Sequence, residues 1–497
     1  MIQIYNTQTH KKENLKTREE GKVRMYACGP TVYNHIHIGN ARTFLTFDVV
    51  RRWLEWRGMD VTFVQNITDV DDKIINRANE EGKTAADVAA DYTEKFISAM
   101  HEFGIKDPDV RPKATEEIPE MINLVERLIE GGHAYEVEGD VYFSVRSFSQ
   151  YGKLSGRNID DLQSGARVDV DERKRDPLDF ALWKAAKPGE PHWTSPWGEG
   201  RPGWHLECSA MSEKYLGLPI DIHGGGSDLV FPHHENEIAQ SEAATGCTFS
   251  TCWLHGGMLR INEEKMSKSL GNFMLLKDVL AECDPQALRL LMLQTHYRSP
   301  LDFSDTRLTE ATQSLERIKN CVHNMLWALD VAAVCEGPNS DAADNLNAAC
   351  ASMKEKFEFC MDDDFNTAGA LGAVFGFVGR ANAFVDGCSA LSEQERKGLD
   401  LAAKTVIELM GVLGIDVSGS NDEDAPCWPK ETCELAAKYA NYEGTDAHKA
   451  ADALLCARTK ARASKNWEVA DAIRDGLGEL GFVIEDTTNG ARISFEG

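Results

Sequence analysis

Apolar positions follow two different periods along this chain, and the change from one to the other divides it. Near the amino end Val23, Met25 and Ala27 alternate as on a short strand, and from Ala41 the spacing of Phe44, Phe47, Val50 and Leu54 is helical as far as Gly58. Val61 and Phe63 then begin another strand. Strand, loop, helix and strand in that order predict a βαβ unit with parallel strands. Between residues 111 and 203 the texture changes to a helical run over 118–129, an alternating strand over 135–145 and a charged stretch over 169–176. This reads as an insertion into the first fold, whose strand and helix pattern resumes at Trp204 and continues past Lys268. From Leu308 one period takes over: Leu308, Ala311, Leu315, Ile318, Val322 and Met325 are spaced by threes and fours, and similar patterns return near 353–384 and 401–413. A helical bundle is expected there. Residues 418–425 are polar with prolines soon after, as in a linker, and a small tail domain follows. The expected fold is α/β: a Rossmann-like parallel-sheet catalytic domain over 1–110 and 204–305, an inserted connective subdomain over 111–203, a helical bundle over 306–416 and a C-terminal domain over 426–497.

Composition narrows the setting. A chain of 497 residues exceeds one compact core, and at about 100 to 200 residues per domain it should hold three or four. Hydrophobic residues at 42% can fill those cores. No run of about 18 apolar residues occurs, and the first residues lack the basic then apolar order of a secretion signal. A soluble, cytoplasmic protein without a membrane partner is expected. The 13 cysteines are odd in number and scattered, which suits reduced thiols with a few recruited to metal. A net charge of −27 argues against loose binding to nucleic acid, so any such partner must meet a local basic patch.

Two short segments suit polyphosphate. His37-Ile38-Gly39-Asn40 puts an imidazole and a glycine at the start of the first predicted helix, where backbone N–H groups and the helix dipole favour an anion. Lys265-Met266-Ser267-Lys268-Ser269 puts two lysines and two hydroxyls in a polar loop. This pentapeptide matches letter for letter the signature loop of class I aminoacyl-tRNA synthetases, and the first segment resembles their other motif with Asn40 in place of a second histidine. The reaction such parts serve is attack of an amino-acid carboxylate on the α-phosphate of ATP, which brings magnesium with it. Charge then gathers on phosphoryl oxygens, so fixed donors count most. His37 and Lys268 are the expected stabilisers, Lys265 helps hold the loop closed, and Asn40 can donate only from an uncharged amide. Pro30, Thr31 and Gly39 belong to the same expected nucleotide site. Gly224, Gly225 and Gly226 with Asp228 would let backbone approach the adenosine, although a plain turn is also an ordinary reading. Thr68, in a polar segment at a strand end, would bind the substrate ammonium or order a loop.

A second constellation suits a metal. Cys28 ends the first strand, Cys208 lies in Gly203-Trp204-His205-Leu206-Glu207-Cys208, and Pro232-His233-His234-Glu235-Asn236-Glu237 follows. His233 and Glu237 share a face if a helix begins after Pro232. Two thiolates, an imidazole and a carboxylate suit Zn²⁺, although a cysteine taken singly is as readily a buried small hydrophobe. On local chemistry His234 serves as well as His233.

These segments together resemble the cysteinyl-tRNA synthetase family, and the likeness extends to Leu154-Ser155-Gly156, to Met361-Asp362-Asp363-Asp364-Phe365-Asn366-Thr367 and to Ala470-Asp471-Ala472-Ile473-Arg474-Asp475. The resemblance implies one zinc on Cys28, Cys208, His233 and Glu237, with His233 preferred to His234, and the metal binding the thiolate of L-cysteine. A pocket judging cysteine against serine by size discriminates only about 10 to 200-fold, whereas a soft ligand preference separates thiolate from hydroxyl strongly. Trp204 would wall the substrate pocket or serve as a core aromatic. The partner implied is tRNA(Cys), read by the bundle and tail of what is expected to be a monomer. Arg458, Lys460, Arg462 and Lys465 before Trp467 form a basic island in an acidic chain. Two competing readings remain: the cysteine ligase of mycothiol synthesis, which passes cysteine to an amino sugar and has no need of the C-terminal domains, and a zinc-stabilised RNA-binding protein that would not need both signature lysines.

Overall fold

The computed structural model describes residues 1–158, 173–261, 264–265, 274–336, 340–388, 390–419, 428–487 and 490–495. The chain divides into two compact units: residues 1–315, 356–372 and 412–415 form the first, and 316–355, 373–411 and 416–497 the second.

The first unit is built on a four-stranded sheet in the order Ser250–Gly256, Ile220–Gly226, Lys22–Ala27, Asp60–Gln65. All three pairings are parallel. Sequence alternation marked only one face of Lys22–Ala27, but Tyr26 is buried as completely as Met25. Parallel strands are covered on both faces, and their inner ends therefore lose the alternation. The predicted βαβ unit stands, with helix Ile38–Trp56 crossing from the first strand to Asp60–Gln65. Cys28, Asn66 and Gly256 lie at the carboxyl edge of this sheet, the edge where open parallel sheets bind ligands.

The same unit holds an antiparallel sheet of five strands, in the order Ala134–Val137, Asp140–Phe143, Phe180–Ala185, Gly198–Pro202, Trp193–Ser195. Helix Ile118–Glu130 precedes it, as the spacing predicts. The single strand expected over 135–145 is instead a hairpin followed by a short 3₁₀ turn at Val145–Ser147. Glu138 and Gly139 both take positive φ, 53° and 86°, the geometry of a two-residue turn that alternation cannot reveal. Part of the predicted charged stretch, residues 169–172, lies outside the described residues.

The helical pattern near 353–384 is two helices, Asp341–Asp362 and Thr367–Asp386. Asp364 and Phe365 break it with φ of 64° and 51°, and their segment packs in the first unit. Asp364 is fully buried there and accepts from Tyr5 N, from the Tyr297 hydroxyl at 2.8 Å and from Arg298 Nε at 2.7 Å. Asp364 is thus a buried fastening, while the side chain of Asp363 beside it is 38% exposed. Thr367–Asp386 is also long and apolar enough to cross a membrane, with a mean hydropathy of 1.3. Its Leu371, Val374, Val378, Ala381 and Val385 are nevertheless buried at helical spacing.

In the second unit Glu393–Val412 completes the helical series. The tail contributes Glu431–Ala440, Ala447–Ala463 and Trp467–Glu479 with the hairpin Phe482–Thr487 and Gly490–Phe495. Ala436, Ala450, Leu454, Ile473, Leu477 and Phe482 form its core. Most of the expected linker, from residue 420 to 425, lies outside the described residues.

Candidate active site

Strand, helix and turn deliver three kinds of donor to one buried point. Cys28 follows strand Lys22–Ala27, and Cys208 lies one turn into helix Trp204–Leu216. His233 and His234 end the turn Val230–His234, and Glu237 opens helix Glu235–Thr245. Cys28 Sγ lies 3.5 Å from Cys208 Sγ, 3.2 Å from His234 Nε2 and 3.4 Å from Glu237 Oε1. His233 Nε2 is 3.7 Å from Cys208 Sγ and 2.8 Å from Glu237 Oε1. The donor atoms of Cys28, His233, His234 and Glu237 all fall within 4.8 Å of one another. Zinc bonds of about 2.0 to 2.3 Å in a tetrahedron put neighbouring donors roughly 3.3 to 3.8 Å apart, so the thiol, imidazole and carboxylate set fits that ion. All of these side chains are buried.

The electrostatics follow from this crowding. Burial pushes the Cys28 thiol well above its ordinary range, with Cys208 adding to the rise. Burial opposes ionisation of Cys208 too, but hydrogen bonding from Cys28 and the His233 imidazole bring it down to about 6. Glu237 is held well below the carboxylate range despite its burial because His223, His233 and His234 surround it. Burial holds His234 well below the usual imidazole value, while the Glu237 carboxylate outweighs burial at His233 and raises it to about 10. A divalent cation binding such donors displaces their protons.

Beside this cluster opens a cleft of about 430 Å³. Cys28, Gly29, Pro30, Thr31, Tyr33 and Trp204 line one part of it, and His37, Gly39, Asn40, Gly226, Asp228 and the 256–259 backbone another. His37 is the N-cap of helix Ile38–Trp56. Its Nδ1 accepts from Asn40 N at 3.1 Å, while Asn40 Oδ1 accepts from His37 N at 3.4 Å. This reciprocal cap fixes the ring so that Nε2 carries the proton and is the donor. The asparagine that replaces a second histidine therefore orients the first. Trp204 is 36% exposed and stacks on His233 with ring centroids 4.2 Å apart, so it walls the cleft and is not a core aromatic.

Gly224, Gly225 and Thr68 are not among the residues that line this cleft. Gly224 and Gly225 lie inside strand Ile220–Gly226, away from the cleft wall. A Cβ on Gly224 would sit 1.8 Å from Leu254 O, so this glycine serves the sheet, and Gly225 makes room for Leu229 and His234. Thr68 is buried behind the wall and donates to Glu207 Oε2 at 2.5 Å. Asn66 beside it accepts from Gly29 N at 2.9 Å, so this segment braces the strand end that carries Cys28. Met266, Ser267, Lys268 and Ser269 lie outside the described residues, and of Lys265 only the backbone is described, paired to Arg260.

Residues 14–313 match the family described as tRNA synthetases class I (C) catalytic domain, 356–418 the DALR domain, and 445–493 the cysteinyl-tRNA ligase anticodon binding domain. A cysteine--tRNA ligase of Desulforamulus reducens is 50% identical over 497 residues, covering 100% of both chains. The chain belongs to the cysteine--tRNA ligase family. The corresponding protein of Pelotomaculum thermopropionicum is 50% identical over 504 residues, again covering 100% of each. Among solved structures, methionyl-tRNA synthetase of Mycobacterium tuberculosis bound by methionyl-adenylate superposes with a TM-score of 0.60 at 15% identity, over 79% of this chain and 90% of that one. That likeness concerns the fold. As a cysteine--tRNA ligase the chain is an enzyme of the class I aminoacyl-tRNA synthetases, and the amino-sugar reading is not favoured.

Sequence reasoning missed the histidines behind the ligase's donor cluster. His205 Nδ1 lies 2.8 Å from His233 Nδ1, and His234 Nδ1 lies 2.7 Å from His255 Nε2, which in turn reaches Thr7 through its other nitrogen. His223 Nε2 is 2.7 Å from Glu237 Oε2. Outer partners of this kind fix ring orientation. Burial holds His205 well below the usual range and His255 at about 3, so both are neutral. His205 stands in the segment that carries Cys208 and His223 directly before Gly224, but nothing local shows that His205 meets His233, that His223 meets Glu237 or that His255 meets His234.

Proposed function

We propose that the chain activates L-cysteine with ATP to cysteinyl-adenylate and pyrophosphate, then transfers cysteine to the terminal adenosine of tRNA(Cys). The observation that carries this reading is one cleft whose wall runs from Cys28 and Trp204 to His37, Gly39 and Asp228. It offers a thiol end and a phosphate end in reach of one small substrate.

Cys28, Cys208, His233 and Glu237 are the proposed zinc ligands. His233 is preferred to His234 because its Nε2 faces both Cys208 and Glu237. When bound, zinc supplies a soft position that takes a thiolate and discriminates against a hydroxyl. The protein's own groups do the rest. Trp204 closes the side of the cysteine pocket over His233, and Gly29 lets the strand end lie against Asn66, where a Cβ would be 1.6 Å from its carbonyl oxygen. The substrate carboxylate attacks the α-phosphate, and the Nε2–H of His37 meets the charge that builds on the phosphoryl oxygens. Lys268 is assigned the same task, and Lys265, Met266, Ser267 and Ser269 are assigned to the loop that meets the pyrophosphate. Magnesium enters with ATP as substrate.

For the tRNA we assign the tail. Lys460, Arg462 and Lys465 are exposed around the end of helix Ala447–Ala463, and Trp467 is 56% exposed beside them. Arg458, expected as part of this island, is buried and belongs to the tail's interior. The proposed enzyme works as a monomer in the cytoplasm.

The test is cysteine-dependent ATP–pyrophosphate exchange and charging of tRNA(Cys), measured with bound metal on the same preparation. A chain ending after residue 418 is expected to keep exchange within about twofold and to lose at least tenfold in charging. Unchanged charging would remove the tail from the tRNA site.

A further inference from the structure

Arg42 lies on the helix that opens with His37 and is 4% exposed. Its Nη1 donates to Gly257 O at 3.0 Å and Met258 O at 3.1 Å, and its Nη2 to His296 O at 3.2 Å and Ser299 O at 2.7 Å. Among the described residues no carboxylate pairs with it. A buried guanidinium held by carbonyls alone is costly, since no counter-charge offsets its lost hydration. Burial accordingly brings its pKa down to about 10.

What this cation holds is a stretch of the cleft's lining. Gly256, Gly257, Met258 and Leu259 line the cleft together with His37, Gly39, Asn40 and Thr43, and a Cβ on Gly256 would lie 3.9 Å from Thr43 Oγ1. Gly257 N donates to Tyr297 O and Leu301 N to Met258 O, so the same four carbonyls bracket the point where strand Leu259–Ile261 meets Leu301–Phe303. The chain then turns back, pairing Arg260 with Lys265 at the first residue of the lysine signature. The fit is close: a Cβ on Gly257 would lie 2.5 Å from Arg298 O and 2.6 Å from Ser299 O. Only a planar fork with several donors spans four carbonyls in this way, and a lysine ammonium does not.

We infer that Arg42 is a positioning residue for ATP, joining the helix that presents His37 to the backbone wall and strand from which the Lys265 to Ser269 segment departs. This rests on the reading of the cleft as the site of cysteine activation. Arg42 is buried and is not among the residues that line the cleft. It sets the width of the nucleotide end and leaves the thiol end, fixed by Cys28, Cys208 and Trp204, unchanged.

The test is steady-state pyrophosphate exchange with R42K, which keeps the charge, and R42Q, which keeps amide donors without it; one soluble variant suffices. The expected result is a KM for ATP raised at least tenfold, a KM for cysteine within twofold of the wild type, and unchanged metal content. Val50→Ala, which opens a small cavity on the same helix, serves as the control for destabilisation alone and should leave both KM values in place. A wild-type KM for ATP in R42K or R42Q overturns the inference, as does a parallel rise in both KM values. Absence of cysteine-dependent exchange in the wild-type enzyme would instead overturn the reading of the cleft, and the role of Arg42 with it.

Discussion

Replacing Cys208 by serine is expected to remove bound metal and cysteine-dependent pyrophosphate exchange together. The sulfur of Cys208 stands 3.5 Å from that of Cys28 and 3.7 Å from His233 Nε2, with 2% of the residue exposed. A serine hydroxyl fits the space but stays protonated at neutral pH, whereas Cys208 ionises at about 6 because Cys28 and His233 outweigh its burial. The substitution therefore removes a negative, polarisable donor without opening a large cavity. Loss of an outer partner of a metal ligand typically costs about 10 to 100-fold, so loss of a ligand itself should cost more than about a hundredfold in exchange. Cys252 provides the control. It is a buried thiol on the same sheet, raised by burial to about 12 and outside the donor cluster. Cys252→Ser is expected to keep its metal and its exchange rate within a few-fold. Metal analysis and exchange on the same protein decide the matter, and a metal-free C208S enzyme with full activity would end the thiolate argument.

The contrast between these two cysteines shows what sequence could and could not supply. Cys28 and Cys208 were legible because each sits in a segment with other chemistry-bearing residues, and because a strand end and a helix start are where a parallel sheet gathers ligands. Periodicity located the strand and the crossover helix for the same reason, since these depend on neighbours a few residues apart. It failed where the deciding contact is distant. Nothing near Gly224 says that Leu254 O lies where a Cβ would be, so a sheet glycine resembled a nucleotide glycine. Nothing near Thr68 says that its hydroxyl donates to Glu207, 139 residues away. His205 and Arg42 sit beside signature residues and His255 does not, yet the contacts by which all three orient those residues lie far along the chain. Asp364 belongs to an acidic motif, but its role as acceptor for Tyr5, Tyr297 and Arg298 depends on contacts across the sequence.

Asp48→Asn is expected to lower the stability of the first unit by about 3 to 5 kcal/mol, the usual result of leaving a buried charge without its partner. Asp48 and Arg289 are each 1% exposed at their side chains and paired directly, with Arg52 Nε donating to the same oxygen at 2.8 Å. Lys106 N donates to the other oxygen at 3.0 Å, and Arg289 also donates to Leu413 O at 2.7 Å. One carboxylate thus ties the helix carrying His37 to helix Pro285–Leu293 and to a backbone turn near the end of the bundle helix Glu393–Val412. Burial opposes ionisation of Asp48, but Arg289 and Arg52 outweigh it and hold its pKa below the ordinary value. The sign of the pH effect follows. A carboxylate with a depressed folded pKa stabilises the fold fully above its unfolded value, about 3.9, and loses that contribution as the pH falls through the folded value. Denaturant titrations should therefore show the gap between wild type and D48N constant at neutral pH and closing as the pH falls below about 4. Adding R289M to D48N should cost less than the two single changes summed, because the second substitution removes the stranded charge created by the first. A gap that persists undiminished in acid, or strict additivity in the double variant, would show that Asp48 acts through shape and not through its charge.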